Sequence, residues 1–364
     1  MADYNEQIKE LEKQIANTKY NKSTQHAIGL MKAKIAKLKE KDIARSSGGG
    51  GGYGYTVSKS GDATVILLGY PSVGKSSILN TITDAHSEVG AYAFTTLTVV
   101  PGTLKYKDAI IQILDVPGIV HGAASGKGRG REVLSTMYSA DMAIVVLDAT
   151  QPECYDSIIK EAREANIRIN ERKPDVRIKK TVKGGIDFAA TVPLTKTTRD
   201  TIEDVLREFR MNNCQIVVRS DITVDQLIDV IENNKRYIPG IVIVNKADLI
   251  SEEQKKEIKK KYPINLFIST VAKLNMDKLR DEIYDAMRFM RVYTKEQGKP
   301  ADLNEPLIMF TQSSIQDVCN KLHKDFLKKF HYARVWGTSA KFPGQKLSLR
   351  HVLQDKDIVE IHTR

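Results

Sequence analysis

The chain has 364 residues, 41% of them hydrophobic and 28% charged, with a formal net charge of +11. That length exceeds one ordinary domain of about 100 to 200 residues. No apolar run approaches the roughly 18 residues of a membrane span, and the polar start MADYNEQIKE has no signal-peptide core, so the expectation is a cytoplasmic protein of several modules without a membrane partner.

Residues 1 to about 45 read as helical. Ile8, Leu11 and Ile15 are spaced three and four apart, and Ile28, Met31, Ile35 and Leu38 repeat the stripe. A turn near Asn21 to Thr24 lets the two stripes face each other. Lys32, Lys34, Lys37, Lys39 and Lys41 on the second helix suit either a phosphate-contacting surface or a solvated face. Ser46, Ser47 and the run Gly48 to Gly52 cannot pack a core and form a linker or loop. From Ala63 onward, short apolar runs at 63–68, 109–114, 142–147, 241–244 and 266–268 alternate with helical segments, the pattern of a mostly parallel sheet covered by helices. Four of the five runs lead into polar or glycine-rich segments, and open α/β sheets bind ligands at the carboxyl ends of their strands. Cys154, Cys214 and Cys319 stand too far apart for a CxxC metal site or a local disulfide framework. The surplus of cations favours a polyanionic partner such as RNA over a merely solvated basic surface.

The loop after the first strand is Gly69-Tyr70-Pro71-Ser72-Val73-Gly74-Lys75-Ser76, a full GxxxxGK[ST] match followed by Ser77. Its glycines let backbone amides close around phosphates at a helix N-terminus. Lys75 would reach the β- and γ-phosphates, and Ser76 would ligate Mg²⁺. Asp115-Val116-Pro117-Gly118 is a DxxG sequence, weak alone but informative after a strand and downstream of the first loop. Asp115 would hold the Mg²⁺ shell and the Gly118 amide would sense the γ-phosphate. Between them, Phe94-Thr95-Thr96-Leu97 offers a hydroxyl to complete that shell, Thr96 in preference to Thr95.

Asn245-Lys246-Ala247-Asp248 selects the base. A carboxylate at Asp248 accepts from N1–H and the exocyclic amine of guanine, donors that adenine lacks there, so ATP would leave it unpaired. Asn245 would brace the loops and the Lys246 stem would cover the base. Ser269-Thr270 would place a backbone amide near guanine O6.

On these residues the chain resembles the developmentally regulated GTP-binding proteins, in the Obg-related branch of GTPases. The segments that carry the resemblance are GYPSVGKSS at 69–77, FTTLTVVPG at 94–102, DVPGIVHGAASGKGRGRE at 115–132, NKAD at 245–248 and YARVWGTSAK at 332–341. It implies an α/β P-loop GTPase core at 61–164 and 238–290, an N-terminal helical hairpin and glycine linker at 1–60, an inserted α+β domain at 165–237 and a C-terminal TGS domain of ubiquitin-like β-grasp fold at 291–364. The 130 positions between Asp115 and Asn245 leave room for such an insertion, with strand-like runs at 186–192 and 215–219 and a helix at 224–232. The C-terminal pattern fits a strand at 307–310, a helix at 314–329 and strands near 333–336 and 358–362. Lys321, Lys324 and Lys328 then share one helical face, available to RNA or simply to solvent.

The resemblance implies a GTP-hydrolysing switch that uses Mg²⁺ on translating ribosomes, often with a small regulatory partner protein. An RNA- or ribosome-binding scaffold with negligible turnover is the rival reading. Ile119 follows DxxG where Ras-like enzymes place a water-orienting glutamine, so unaided hydrolysis should be slow. His121 is a candidate for orienting water and Arg129 or Arg131 for donating charge, although relatives often carry an acidic residue at the position of His121. The catalytic set is thus Lys75, Thr96, Gly118 and His121. Many Obg-like relatives have asparagine at the position of Ser72, where it helps to bind potassium. Serine keeps an oxygen at shorter reach, which leaves K⁺ open as a second ion.

Overall fold

The computed structural model describes residues 4–19, 21, 24–46, 61–83, 100–115 and 138–363. The chain falls into two compact units, Met1–Gly54 with Asn166–Tyr237 and Tyr55–Ala165 with Ile238–Arg364. The glycine run from Gly48 to Gly52 lies outside the described residues. Among the described residues no helix is long and apolar enough to cross a membrane.

The chain starts with α1 (Tyr4–Asn17) and α2 (Gln25–Ser46). Between them, Asn21 Oδ1 accepts from the Thr24 amide at 2.9 Å and Thr24 Oγ1 from the Asn21 amide at 3.0 Å. This exchange fixes the turn and satisfies a donor that the start of a helix leaves open. Of the two expected stripes, Ile8, Ile28 and Ile35 are buried and Leu11, Ile15, Met31 and Leu38 are half-buried. Three of the five lysines of α2 are engaged by carboxylates, while Lys34 and Lys41 are exposed. Lys32 pairs with Asp225 at 2.6 Å, Lys37 with Glu208 at 3.2 Å and Lys39 with Glu12 at 3.6 Å.

Next come β1 (Ala63–Leu68), α3 (Lys75–Ile82), β2 (Val100–Tyr106), β3 (Ala109–Asp115), β4 (Met142–Asp148) and α4 (Cys154–Glu164). Every residue of β1 is buried, the mark of a strand covered on both faces. β2 returns antiparallel on β3 through Lys107 at φ 48° and Asp108 at φ 67°. Both lie in the left-handed region that matches the twist of a two-residue hairpin.

The insertion comprises β5 (Ile167–Ile169), β6 (Val176–Lys180), β7 (Ile186–Ala190), α5 (Arg199–Glu208), β8 (Cys214–Val218), α6 (Val224–Glu232) and β9 (Arg236–Ile238). β8 is central, antiparallel to β6 and parallel to β7. Thr198 and Thr223 cap α5 and α6, each hydroxyl accepting from a first-turn amide. Ile202, Val205, Leu206 and Leu227 of these helices share one core with Ile216, Val218 and Ala33, which joins α2 to the inserted sheet.

The main sheet resumes with β10 (Gly240–Asn245), α7 (Glu252–Lys261), β11 (Leu266–Phe267) and α8 (Met276–Met287). Its order is β11-β10-β4-β1-β3-β2, parallel throughout except for β2. The last segment contributes β12 (Phe289–Thr294), β13 (Leu307–Phe310), α9 (Ile315–Leu322), α10 (Lys324–Lys329), β14 (Phe330–Trp336), β15 (Gln345–Leu347) and β16 (Asp357–Thr363). These strands run β13-β12-β16-β14-β15 with β12 and β16 parallel at the centre, a β-grasp arrangement. The single helix expected at 314–329 is broken at His323, whose backbone is extended (φ −167°, ψ 142°). Lys321 therefore lies on a different helix from Lys324 and Lys328, and its ammonium donates to Asp62 Oδ1 and Ile308 O, each at 2.6 Å. The single helical face expected for the three is interrupted at His323.

Candidate functional site

The carboxyl ends of β1, β3, β4, β10 and β11 lie along one edge of the main sheet, and the loops that leave them carry the predicted chemistry. β1 runs into Gly69, where a Cβ would stand 2.5 Å from the Val146 carbonyl oxygen, so only glycine fits against β4. At Gly74 the backbone is left-handed (φ 93°) and a Cβ would fall 2.4 Å from Asn245 Nδ2. Ser72, at φ 65°, is exposed at the tip of the loop beside exposed Pro71 and half-buried Tyr70. Val73 is buried, and α3 begins at Lys75 with Ser76 and Ser77 exposed on its first turn.

Lys75 is turned onto its own loop, donating to Gly69 O at 2.9 Å and Tyr70 O at 3.0 Å. Burial pushes its ammonium below the usual lysine range, against the opposing pull of Asp115. Ser76 Oγ donates to Asp115 Oδ2 at 2.6 Å. Asp115 Oδ1 is buried with no partner among the described residues. A serine hydroxyl beside a carboxylate with an open, buried oxygen is a donor set that suits a hard divalent cation.

Asn245, at the end of β10, is 1% exposed and joins three loops. Its Nδ2 donates to Val73 O at 2.9 Å and its Oδ1 accepts from the Thr270 amide at 3.3 Å. Ser269 is fully buried, its hydroxyl accepting from the Ala272 amide at 3.0 Å. Asp248 sits in a short 3₁₀ turn, Ala247–Leu249, with its carboxylate exposed and without a partner among the described residues. Lys246, at φ 62°, extends to Asp148 Oδ2 at 2.6 Å. Thr96, Gly118, Ile119, His121, Arg129 and Arg131 lie outside the described residues.

Asp148 is the residue that sequence reasoning missed. It ends β4, and its other oxygen accepts from the Thr150 amide at 2.9 Å and the Thr150 hydroxyl at 2.8 Å. Burial pushes its carboxyl up, but the hydrogen bonds from Lys246 and Thr150 outweigh burial and hold it below the usual carboxylate range. The available signal was an aspartate closing an apolar run with a threonine two residues on, the spacing of an Asx turn.

A mostly parallel sheet with a GxxxxGKS loop, an aspartate facing that loop's serine and an NKxD turn on one edge defines a P-loop GTP-binding protein. Residues 64–180 match the family described as "50S ribosome-binding GTPase", residues 183–289 the "C-terminal region of MMR_HSR1 domain" and residues 290–363 the "TGS domain". An uncharacterized GTP-binding protein of Methanocaldococcus jannaschii is 51% identical over 361 residues, covering 98% of this chain and 92% of its own. Developmentally-regulated G-protein 3 of Arabidopsis thaliana is 43% identical, covering 99% of each chain. Developmentally-regulated GTP-binding protein 1 of Xenopus laevis is 42% identical, covering 97% of each. The chain belongs to the family of developmentally regulated GTP-binding proteins.

Proposed function

We propose that this GTP-binding protein is a GTP-hydrolysing switch acting on translating ribosomes or other RNA. The observation that carries the switch reading is the coupling through Asn245 of the phosphate loop at Val73 to the base loop at Thr270. Asp248, exposed beside that bridge and without a partner among the described residues, can accept the two donors of guanine. Lys246, held by Asp148, lays its aliphatic stem where it can cover the base. Lys75 exchanges two loop carbonyls for phosphate oxygens when nucleotide arrives. Asp115 and Ser76 would hold Mg²⁺, which neutralises phosphate charge when bound. Thr96 and the Gly118 amide complete this set by resemblance.

Hydrolysis without help is slow in this reading, because Ile119 cannot hydrogen-bond a water. His121, Arg129 and Arg131 are the chain's own candidates to assist, and the ribosome or a regulatory partner protein is the external one. The match of residues 64–180 to a family described as ribosome-binding supports that setting. The domain reading is one GTPase core interrupted by residues 165–237 and flanked by residues 1–60 and 291–364, the outer pieces serving as contact modules.

Single-turnover hydrolysis of GTP, with and without ribosomes and in potassium or sodium salt, tests the proposal. The expected result is a slow basal rate raised by ribosomes by a factor of ten or more. A rate that no ribosome, partner or ion accelerates would favour the scaffold reading instead.

A further inference from the structure

The unit Met1–Gly54 with Asn166–Tyr237 distributes its cations unevenly between two sides. On the helical side, carboxylates hold several of the basic groups. Besides Lys32 and Lys37, Arg168 makes a two-pronged contact with Asp229, each bond 2.8 Å, and Arg207 meets Asp204 at 2.6 Å.

The three-stranded sheet β6-β8-β7 differs. Helices cover one face, where Ile178, Cys214, Ile216, Val218 and Phe188 join the core. Strand alternation sends Arg177, Lys179, Gln215, Val217, Asp187 and Ala189 to the opposite face. Arg177 lies opposite Val217 and Lys179 opposite Gln215. Arg219 continues the outward row of β8, and Lys183 stands in the loop beyond β6. Arg177, Lys179, Lys183 and Arg219 are all exposed, and none has a side-chain hydrogen bond or ion pair among the described residues. Two acids share this face: Asp175, exposed just before β6 with its carbonyl accepting from the Arg219 amide at 2.8 Å, and Asp187, which accepts from Gln215 Nε2 at 3.4 Å.

We propose that the outward face of the β6-β8-β7 sheet, with Arg177, Lys179, Lys183 and Arg219, binds the phosphate backbone of double-stranded RNA. Four cations without side-chain partners among the described residues outnumber the two acids of this face and are complementary in charge to a rail of phosphates, and bound counterions would be released on contact. None of the outward strand residues is aromatic, so the face offers no platform for stacking unpaired bases. It therefore suits backbone contacts on a duplex, where recognition depends on shape and phosphate position. This inference rests on the proposed action at RNA and assigns the contact to a surface.

The test uses the full chain, a 20-base-pair RNA duplex, the corresponding single strand and anionic lipid vesicles, across a range of salt. One variant carries Arg177→Ala, Lys179→Ala, Lys183→Ala and Arg219→Ala. A charge-matched control carries Lys256→Ala, Lys259→Ala, Lys260→Ala and Lys278→Ala, and affinity for fluorescent GDP reports that both remain folded. The expected result is that the sheet variant alone loses tenfold or more in duplex affinity, with its log–log salt slope reduced by roughly 3, since each lost phosphate contact contributes about 0.7 to 0.9. Equal loss in the control, no loss in either, or preference of the wild type for single strand or vesicles overturns the assignment of the face. If the wild type binds no RNA and does not co-sediment with ribosomes, the broader reading falls with it.

Discussion

The nucleotide edge and the outward sheet face both present cations, but they differ in what those cations touch when no ligand is there. Lys75 rests on two carbonyls of its own loop and Lys246 on Asp148. Arg177, Lys179, Lys183 and Arg219 are exposed and have no side-chain partner among the described residues. The first arrangement fixes direction, so a ligand must match positions to within the geometry of hydrogen bonds. The second fixes only the sum of charge. Recognition at the nucleotide edge should accordingly be sensitive to single atoms and tolerant of salt, and recognition at the sheet face the reverse.

The largest test of this contrast lies on the helical side of the same unit as the sheet. Asp229→Ala removes the carboxylate that holds both prongs of the largely buried Arg168 guanidinium, and losing one partner of such a pair costs up to about 3 to 5 kcal/mol. Amide exchange in α6 should show that loss as opened protection. Intermediate in size is Asn245→Ala, which strips the Val73 carbonyl and the Thr270 amide of their partner. About 2 kcal/mol from two such bonds is roughly a thirtyfold weaker affinity for GDP, and stopped-flow binding that finds no change would show that the loops are coupled some other way. Smallest is Arg177→Ala, expected within about 0.5 kcal/mol because an exposed cation without a partner supports no fold. If its amide-exchange profile shifted as far as that of Asp229→Ala, the division between paired and unpaired cations would not hold.

The fold class was legible because the core strands are buried on both faces and therefore read as unbroken apolar runs, as 63–68 and 142–147 do. β2 was not, since VPGTLKY carries proline and glycine at its second and third positions and turns into β3 without a glycine. The break at His323 left no trace in the spacing of Ile315, Val318 and Leu322. The lysines of α2 were legible in the sequence, but not that Asp225 and Glu208 would hold Lys32 and Lys37, because charge partners distant in the chain are invisible to a local pattern. At the nucleotide edge, the order of the loops along parallel strands was enough to bring Asn245 to the phosphate loop. Asp148 escaped because a single aspartate after a strand has no motif of its own.

In the proposed function Asp248 is the group that reads guanine. Isothermal titration of the wild type and Asp248→Asn with GDP and xanthosine diphosphate in magnesium tests it directly. The wild type should prefer GDP, and the variant should reverse that preference, because an amide pairs with the carbonyl of xanthine where the carboxylate paired with the amine of guanine. A variant that keeps its affinity for GDP and gains none for the xanthine nucleotide would contradict the account.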